Sequence, residues 1–449
     1  TLTDPEDYVG ISNIIEDLYN NPQKFLDISK NMSTFTRQFN KKNTVQKEIK
    51  LISDCFDNRE DDLLINIRKP LSKPVLTVAV PAYNVGQYLE KCLYSLLNHR
   101  NNYKMEILVI NDGSKDNTLK IANNFKKLSN GIVKVIDKSN GGHGSTINAA
   151  IKEAKGKYFR LVDGDDWVDS DNLANLIDKM EMTDSDIILT KGKYDYSDSA
   201  LLENIISYDF LVDGKLYKFD DLIYDNYGFK KYGPLLTTGN YKTELLKKAK
   251  FLISEKKPYV DMEFNAFSIK YVDTLTYFDI DIYRYLIGRE GQSISSEVWK
   301  KKYKDHKYII FNILNKIYAD KDFSDNKIEY VLKYIISSMV DSQIFMYDSI
   351  NKYDELDDFI QELKKYPDAY NYSMSYIEKV NGNCWLILKL YKNWKNKNES
   401  IIIPGVRESV NDIIQLKTLK TKQKIKLLVK AITPYGFLVL YRRYKKVNK

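Results

Sequence analysis

Three carboxylates, Asp163, Asp165 and Asp166, stand within four residues, with Gly164 after the first. At that spacing they repel one another unless a cation or a set of hydrogen-bond donors lies among them. The run before them, Tyr158 to Val162, is an aromatic and β-branched stretch that reads as a strand. In an α/β chain, a strand ending in such a cluster places it where open parallel sheets bind ligands, outside their carboxyl ends. The chemistry suggested is a metal-dependent site for a phosphorylated ligand.

Three more polar turns have the same placement. They are Pro81, Ala82, Tyr83 and Asn84; then Asn111 to Ser114, containing Asp112; then Asn140 to Asn148, containing Gly141, Gly142 and Gly144. Each is weak alone. Asn111 to Ser114 reads equally well as a turn and helix cap. The glycine run fits neither the dinucleotide nor the Walker pattern, although glycines opening a helix let backbone N–H groups approach an anion. A calcium loop at Asp163 fails, because Trp167 and Val168 occupy positions that need an oxygen ligand and a glycine.

The elements that must carry these turns alternate. Strand runs are expected at Val75–Val80, Met105–Ile110, Ile132–Ile136, Tyr158–Val162 and Asp186–Thr190. Helices are expected at Gly86–Arg100, Lys115–Leu128, Gly144–Ala154 and Asn172–Met180, the first from Leu89, Cys92, Leu93, Leu96 and Leu97 at helical spacing. Such alternation predicts a mostly parallel α/β sheet covered on both faces, with all four turns on one edge. Tyr194 to Gly239 is irregular and suits loops over one end of the sheet. Before Pro70, and again after Trp299, the spacing is helical without strands. The expected organisation is a helical segment over 1–70, the α/β domain over 71–295, a helical domain over 296–412 and a basic tail over 413–449.

The length of 449 residues exceeds one ordinary core. Cys55, Cys92 and Cys384 are odd in number and in no metal spacing, which argues against a disulfide framework and for cytoplasmic, reducing surroundings. There is neither an 18-residue apolar run nor a signal-peptide pattern, and the start at Thr1 suggests an excised piece. The net charge of +8 belongs to the tail: residues 413–449 hold eleven Lys or Arg and no Asp or Glu, leaving −3 for the remainder. Six lysines interleaved with Leu and Val, then aromatics and Arg442, read as a peripheral membrane contact at the inner face of the plasma membrane. RNA binding is the competing account of that charge; nothing else supports it, and no nucleic-acid partner is expected.

The ordered set Pro-Ala-Tyr-Asn, Asn-Asp-Gly-Ser, Asn-Gly-Gly and Asp-Gly-Asp-Asp resembles the family-2 glycosyltransferases of GT-A fold, strongly over about 75–190 and loosely over about 230–297. The resemblance implies a nucleotide-sugar donor, with UDP expected, and a nucleotide site of Pro81, Ala82, Tyr83, Asn84, Asp112, Gly141, Gly142, Asp163 and Gly164. It implies Mn²⁺ or Mg²⁺ on Asp165 and Asp163. It also implies an inverting mechanism with Asp261 as the catalytic base, although Val260 stands where the family usually has Glu; Glu263 is the reserve. Arg289, Gln292, Ser293, His143 and Trp167 are candidates for diphosphate or acceptor contacts, and His306 for the diphosphate or metal. The acceptor would be a saccharide, lipid-linked or protein-linked hydroxyl in cell-surface polysaccharide, teichoic acid or glycoprotein synthesis. A nucleotidyltransferase is disfavoured because its early Gly-rich basic loop is missing after Val80. A non-catalytic nucleotide-sugar-binding or scaffold module is the alternative, against which the intact Asp163, Asp165 and Asp261 speak.

Overall fold

The computed structural model describes residues 67–196, 202–206, 208, 210–225, 236–287 and 296–380. Its strands are β1 (Leu76–Ala82), β2 (Met105–Asn111), β3 (Val133–Asp137), β4 (Tyr158–Leu161), β5 (Trp167–Val168), β6 (Ile187–Tyr196), β7 (Leu202–Ile206), β8 (Leu216–Lys218), β9 (Gly239–Lys242) and β10 (Thr274–Ile287). The helices among them are α1 (Leu89–Leu97), α2 (Thr118–Leu128), α3 (His143–Glu153), α4 (Ser170–Met182), α5 (Phe219–Asp225), α6 (Thr243–Ala249) and α7 (Val260–Phe267). After the last strand come α8 (Ser296–Ala319), α9 (Asp325–Tyr330), a π-helical turn (Val331–Ile336), α10 (Ser337–Ser349), α11 (Tyr353–Leu363) and α12 (Pro367–Val380).

The strands form one sheet in the order β3-β2-β1-β4-β9-β6-β10-β5, with β7 beside β6 and β8 beside β10. β1 pairs in parallel with β2 and β4, β2 with β3, and β10 with β6. The short β9 lies between β4 and β6 and runs antiparallel to both. β1 to β4, β6 and β10 therefore point one way, and their carboxyl ends share an edge, as expected of a mostly parallel α/β sheet. The intrusion of β9 and the antiparallel additions β5, β7 and β8 were not legible as such.

Successive residues of the central strands point to opposite faces, and both faces are apolar, so the sheet has to be covered twice. Leu76, Val78 and Val80 pack with Leu89, Leu93, Phe125, Leu173 and Ile177 of α1, α2 and α4 on one face. Ala79, Leu108, Ile110, Phe159 and Leu161 pack on the other with Ile147 of α3, Phe264 of α7 and a succession of buried residues from Ile309 to Ile377 in the C-terminal helices. That helical region is expected from the sequence, and it shares this apolar cluster with the sheet. Residues 1–66 and 381–449, over which the sequence leads one to expect a helical preface, the end of the helical region and the basic tail, lie outside the described residues. Among the described residues no helix is long and apolar enough to cross a membrane.

Candidate active site

The first two turns of the common edge are tied together by their own side chains. Asn84, at a left-handed φ of 53°, donates its N–H to Ser114 Oγ (3.0 Å), and its Oδ1 accepts from Lys115 N–H (2.7 Å). Gly86 N–H donates to Asp116 Oδ2 (2.9 Å) and Val85 N–H to Thr118 Oγ1 (2.9 Å). Ala82 is buried under this clasp, whereas Tyr83 is half exposed, leaving an aromatic face at the end of β1. β1 itself runs through Pro81, whose carbonyl accepts Gly164 N–H (3.0 Å). A Cβ at Gly164 would lie 2.9 Å from that carbonyl, so only glycine lets the acidic turn come this close.

Asp112 organises the third turn. Its Oδ1 accepts from Lys138 Nζ (2.7 Å) and Gly141 N–H (2.9 Å), and its Oδ2 accepts from Gly142 N–H (2.7 Å). Gly142 needs its glycine twice over: its φ is 80°, and a Cβ would meet the Lys256 backbone at 3.1 Å. The carboxylate expected to meet a nucleobase is thus also the clamp of the glycine loop. Lys138 belongs to none of the motifs, and its only sequence signal is a cation just beyond the carboxyl end of β3.

At the end of β4, Asp163 and Asp165 are partly exposed and Asp166 is buried. Asp166 accepts from the Tyr283 hydroxyl (2.5 Å) and from Leu286 N–H (2.9 Å). Burial, together with the charges of Asp163 and Asp165, pushes its carboxyl up to about 8. The donors that the carboxylate cluster called for therefore come to Asp166 from β10, where the register with β6 shifts between Tyr277 and Tyr283. Such irregularities re-aim a side chain. Among the described residues no three side chains converge as a ready-made metal cage. Two neighbouring carboxylates are nevertheless the protein share that Mg²⁺ or Mn²⁺ takes when a substrate diphosphate supplies the rest, and the crowded negative charge fits a cation.

His143, the first residue of α3, faces this cluster, with Nε2 3.0 Å from Asp163 Oδ1. Burial disfavours charge on the imidazole, yet Asp163, Asp261 and Asp165 outweigh it and hold the ring above its ordinary value. Asp261 stands in the first turn of α7. Burial raises its carboxyl, opposed by the His143 charge and by the amides of Asp261 and Met262, while Asp163 adds to the rise. His143 is thus the electrostatic link between the acidic turn and the carboxylate proposed as base.

Glu263 is corrected by its surroundings. It has no exposed surface, and its carboxylate accepts from Ser254 N–H (2.7 Å), Ser254 Oγ (2.8 Å) and Asn312 Nδ2. It is an anchor and not a reserve base. The helical phase could have said so, since Val260, Glu263, Phe264 and Phe267 share the buried side. His306 is likewise buried in the helical layer, with Nδ1 2.8 Å from Gln343 Oε1, which does not suit a diphosphate contact. Trp167 has Lys91 Nζ 3.0 Å from its ring centroid, so one face is already covered. Arg289, Gln292 and Ser293 lie outside the described residues.

Residues 77–232 match the family model described as Glycosyl transferase family 2. The chain carries a family 2 glycosyltransferase domain. It is 29% identical over 238 residues to glycosyltransferase GlyA of Streptococcus pneumoniae, an alignment covering 51% of this chain and 32% of that protein. It is 37% identical over 115 residues to the uncharacterized glycosyltransferase EpsJ of Bacillus subtilis, covering 26% of this chain and 33% of the relative. Over 123 residues it is 37% identical to the poly(ribitol-phosphate) beta-glucosyltransferase of Bacillus spizizenii, covering 26% and 19% respectively. The chain thus spans about a third or less of the length of these curated relatives. The crystal structure of S. aureus TarS 1–349 in complex with UDP-GlcNAc aligns at 21% identity with a TM-score of 0.48, over 68% of this chain and 91% of that one. The family 2 match covers the first four turns of the site and stops before Asp261.

Proposed function

We propose that the chain transfers a sugar from a nucleoside diphosphate, UDP by expectation, to a hydroxyl acceptor, with inversion at the anomeric carbon. The observation that carries this reading is the meeting, at one sheet edge, of the Asp112 and glycine turn with the Asp163–Asp165 pair through the His143–Asp163 contact, with Asp261 on α7 near enough for its charge to act on His143. Tyr83 and the Asp112 clamp form the nucleoside end, where Tyr83 offers a stacking face. The N–H groups opening α3 favour negative charge on the diphosphate. Asp163 and Asp165 would hold Mn²⁺ or Mg²⁺, which when bound neutralises charge on the departing diphosphate.

Asp261 then takes the acceptor proton as that oxygen attacks the anomeric carbon from the side opposite the diphosphate. A carboxyl held above its ordinary value is a better base than an ordinary one. His143 lowers the cost of that ionisation and keeps Asp163 and Asp261 from acting as adjacent unscreened charges. The name of the poly(ribitol-phosphate) beta-glucosyltransferase relative supports a cell-surface polymer as acceptor. The eleven basic residues of 413–449 support contact with an anionic bilayer, which suits a lipid-linked acceptor.

The test is UDP release in the presence of Mn²⁺ across a panel of UDP-hexoses and UDP-N-acetylhexosamines, with wild type and Asp261→Asn. Turnover of at least one donor, abolished by chelation and restored by Mn²⁺, is expected. Tight UDP binding without turnover of any donor, even with acceptor extracts, would make the chain a binding module. Flotation with anionic liposomes, comparing the full chain with one ending at Pro404, tests the tail; equal flotation removes the membrane proposal.

A further inference from the structure

The backbone leading to Asp261 is strained. Lys250, Lys256 and Tyr259 have φ of 50°, 55° and 62°, in the left-handed region that a β-carbon disfavours. Such conformations persist where the surroundings over-determine them. Here the surroundings are two walls. On the donor side, Asn148 Nδ2 donates to Ile253 O (2.9 Å) and Asn148 Oδ1 accepts from Ile253 N–H (2.9 Å). Lys256 N–H donates to Gly141 O (2.6 Å), and Ser254 O approaches Gly144 so closely that a Cβ there would lie 2.1 Å away.

The other wall is α8, from the helical region beyond the family match. Lys316 Nζ donates to Leu252 O (2.8 Å), Lys257 Nζ to Asp305 (2.6 Å), and Asn312 Nδ2 to Ser254 Oγ (3.2 Å) as well as to Glu263. The His306 ring stands edge-on to Tyr259 at 4.7 Å and 90°, and Tyr259 is the residue capping α7. An α-helix turns about 100° per residue, so Asp261 and Glu263, two residues apart, point to nearly opposite sides. Fastening Glu263 inward therefore fixes which way Asp261 points outward.

We propose that α8 is a working part of the base site: Asn312 acting through Glu263, and His306 acting through Tyr259, are positioning residues that set the roll of α7 and hence the direction of the Asp261 carboxylate. This inference rests on the reading of Asp261 as the base. Neither Asn312 nor His306 touches substrate in this account. Without Asn312 the buried Glu263 carboxylate loses a donor and has to turn in search of another, carrying α7 with it. A misdirection of about an ångström at a reacting group is enough to lower turnover by about a hundredfold.

The experiment uses the full chain as wild type, Asn312→Leu, Glu263→Gln, the double variant Glu263→Gln/Asn312→Asp, and His306→Asn. The double variant exchanges donor and acceptor within the pair. Three quantities are read: UDP affinity with Mn²⁺ by calorimetry, kcat and KM for a UDP-sugar the wild type turns over, and amide hydrogen exchange across 259–264. Asn312→Leu and Glu263→Gln are expected to lose about tenfold to a hundredfold in kcat, with UDP affinity kept within about twofold and faster exchange confined to 259–264. The double variant is expected to recover most of the lost kcat. Wild-type kcat and exchange in a folded Asn312→Leu overturn the proposal. So does a parallel loss of kcat and UDP affinity with exchange accelerated across the sheet, which marks a general structural role. If Asn312→Leu does not fold, His306→Asn, which keeps a donor for Gln343, decides by the same readings. If the wild type turns over no UDP-sugar, the base reading fails, and exchange across 259–264 decides the coupling: no change there overturns it.

Discussion

The edge proposed to hold the donor and the segment proposed to carry the base are linked through His143, but they are held by different kinds of contact. At the donor edge, Asn84, Ser114, Asp112, Gly141 and Gly142 bind one another across neighbouring strand ends, so each turn is braced by the next. The base segment draws its restraints from α3 on one side and from α8, about fifty residues later in the chain, on the other. The first arrangement is built by the sheet itself. The second exists only when the helical region has docked, which makes the base end the more easily disturbed of the two.

The largest expected effect separates chemistry from binding. Asp261→Asn should lower turnover by about a thousandfold while leaving UDP affinity intact in calorimetry; unchanged turnover would move the base elsewhere. The same substitution carries a stability signature. Burial first, and Asp163 after it, hold the Asp261 carboxyl above its ordinary value against the pull of His143. The folded chain then binds that proton more tightly than the unfolded chain does. The resulting penalty on folding is absent below the unfolded value, grows as pH rises, and is complete above the folded value. Asp261→Asn should accordingly raise Tm near neutrality and leave it unchanged in acid, and a lowered neutral Tm would contradict the stated environment.

Next in size is the cation. Asp165→Asn should cost about a hundredfold in turnover and abolish the enhancement of UDP binding by Mn²⁺; affinity equally Mn²⁺-dependent in the variant would refute its role. Gly144→Ala attacks the seam between the two regions, since its Cβ would land on Ser254 O. A loss of about 1–3 kcal/mol in stability is expected, visible in urea denaturation, with turnover falling more than UDP affinity. The smallest effect belongs to Tyr83→Ala, where loss of the stacking face should weaken UDP binding by about tenfold without moving the pH profile. An unchanged UDP affinity would take Tyr83 out of the nucleoside site.

What could be read in advance follows the same division. The strand-to-helix turns were legible because each is a short run of Gly, Asn, Asp or Pro after an apolar strand, and local sequence suffices to make it. Even there, the partners were not. Lys138 on Asp112 and Tyr283 on Asp166 are set by which strand ends become neighbours. β9 escaped notice because four residues, Gly239 to Lys242, carry no alternation of their own and become a strand only between β4 and β6. Glu263 reads as exposed from the sequence because a carboxylate in a first helical turn has no local partner, and its burying contacts come from Asn312 and Ser254. Asp163 and Asp165 stand out in the sequence as a pair, while the buried guanidinium of Arg160 on β4, bonded to Thr190, Asn240 and Thr237 O, gives no sequence signal.

The insertion of β9 also bears on how the chain can be divided. β4, which delivers the acidic turn, gains its second neighbour from residues 239–242, and β6 gains both β9 and β10 only after residue 287 has been made. A polypeptide cut at residue 232, where the family 2 match ends, would leave β4 and β6 with open edges ready to pair with other molecules. The matched span therefore lacks strand neighbours of β4 and β6 that the complete sheet supplies. The donors that complete the acidic turn, Tyr283 and Leu286 on Asp166, lie 117 and 120 residues further along the chain.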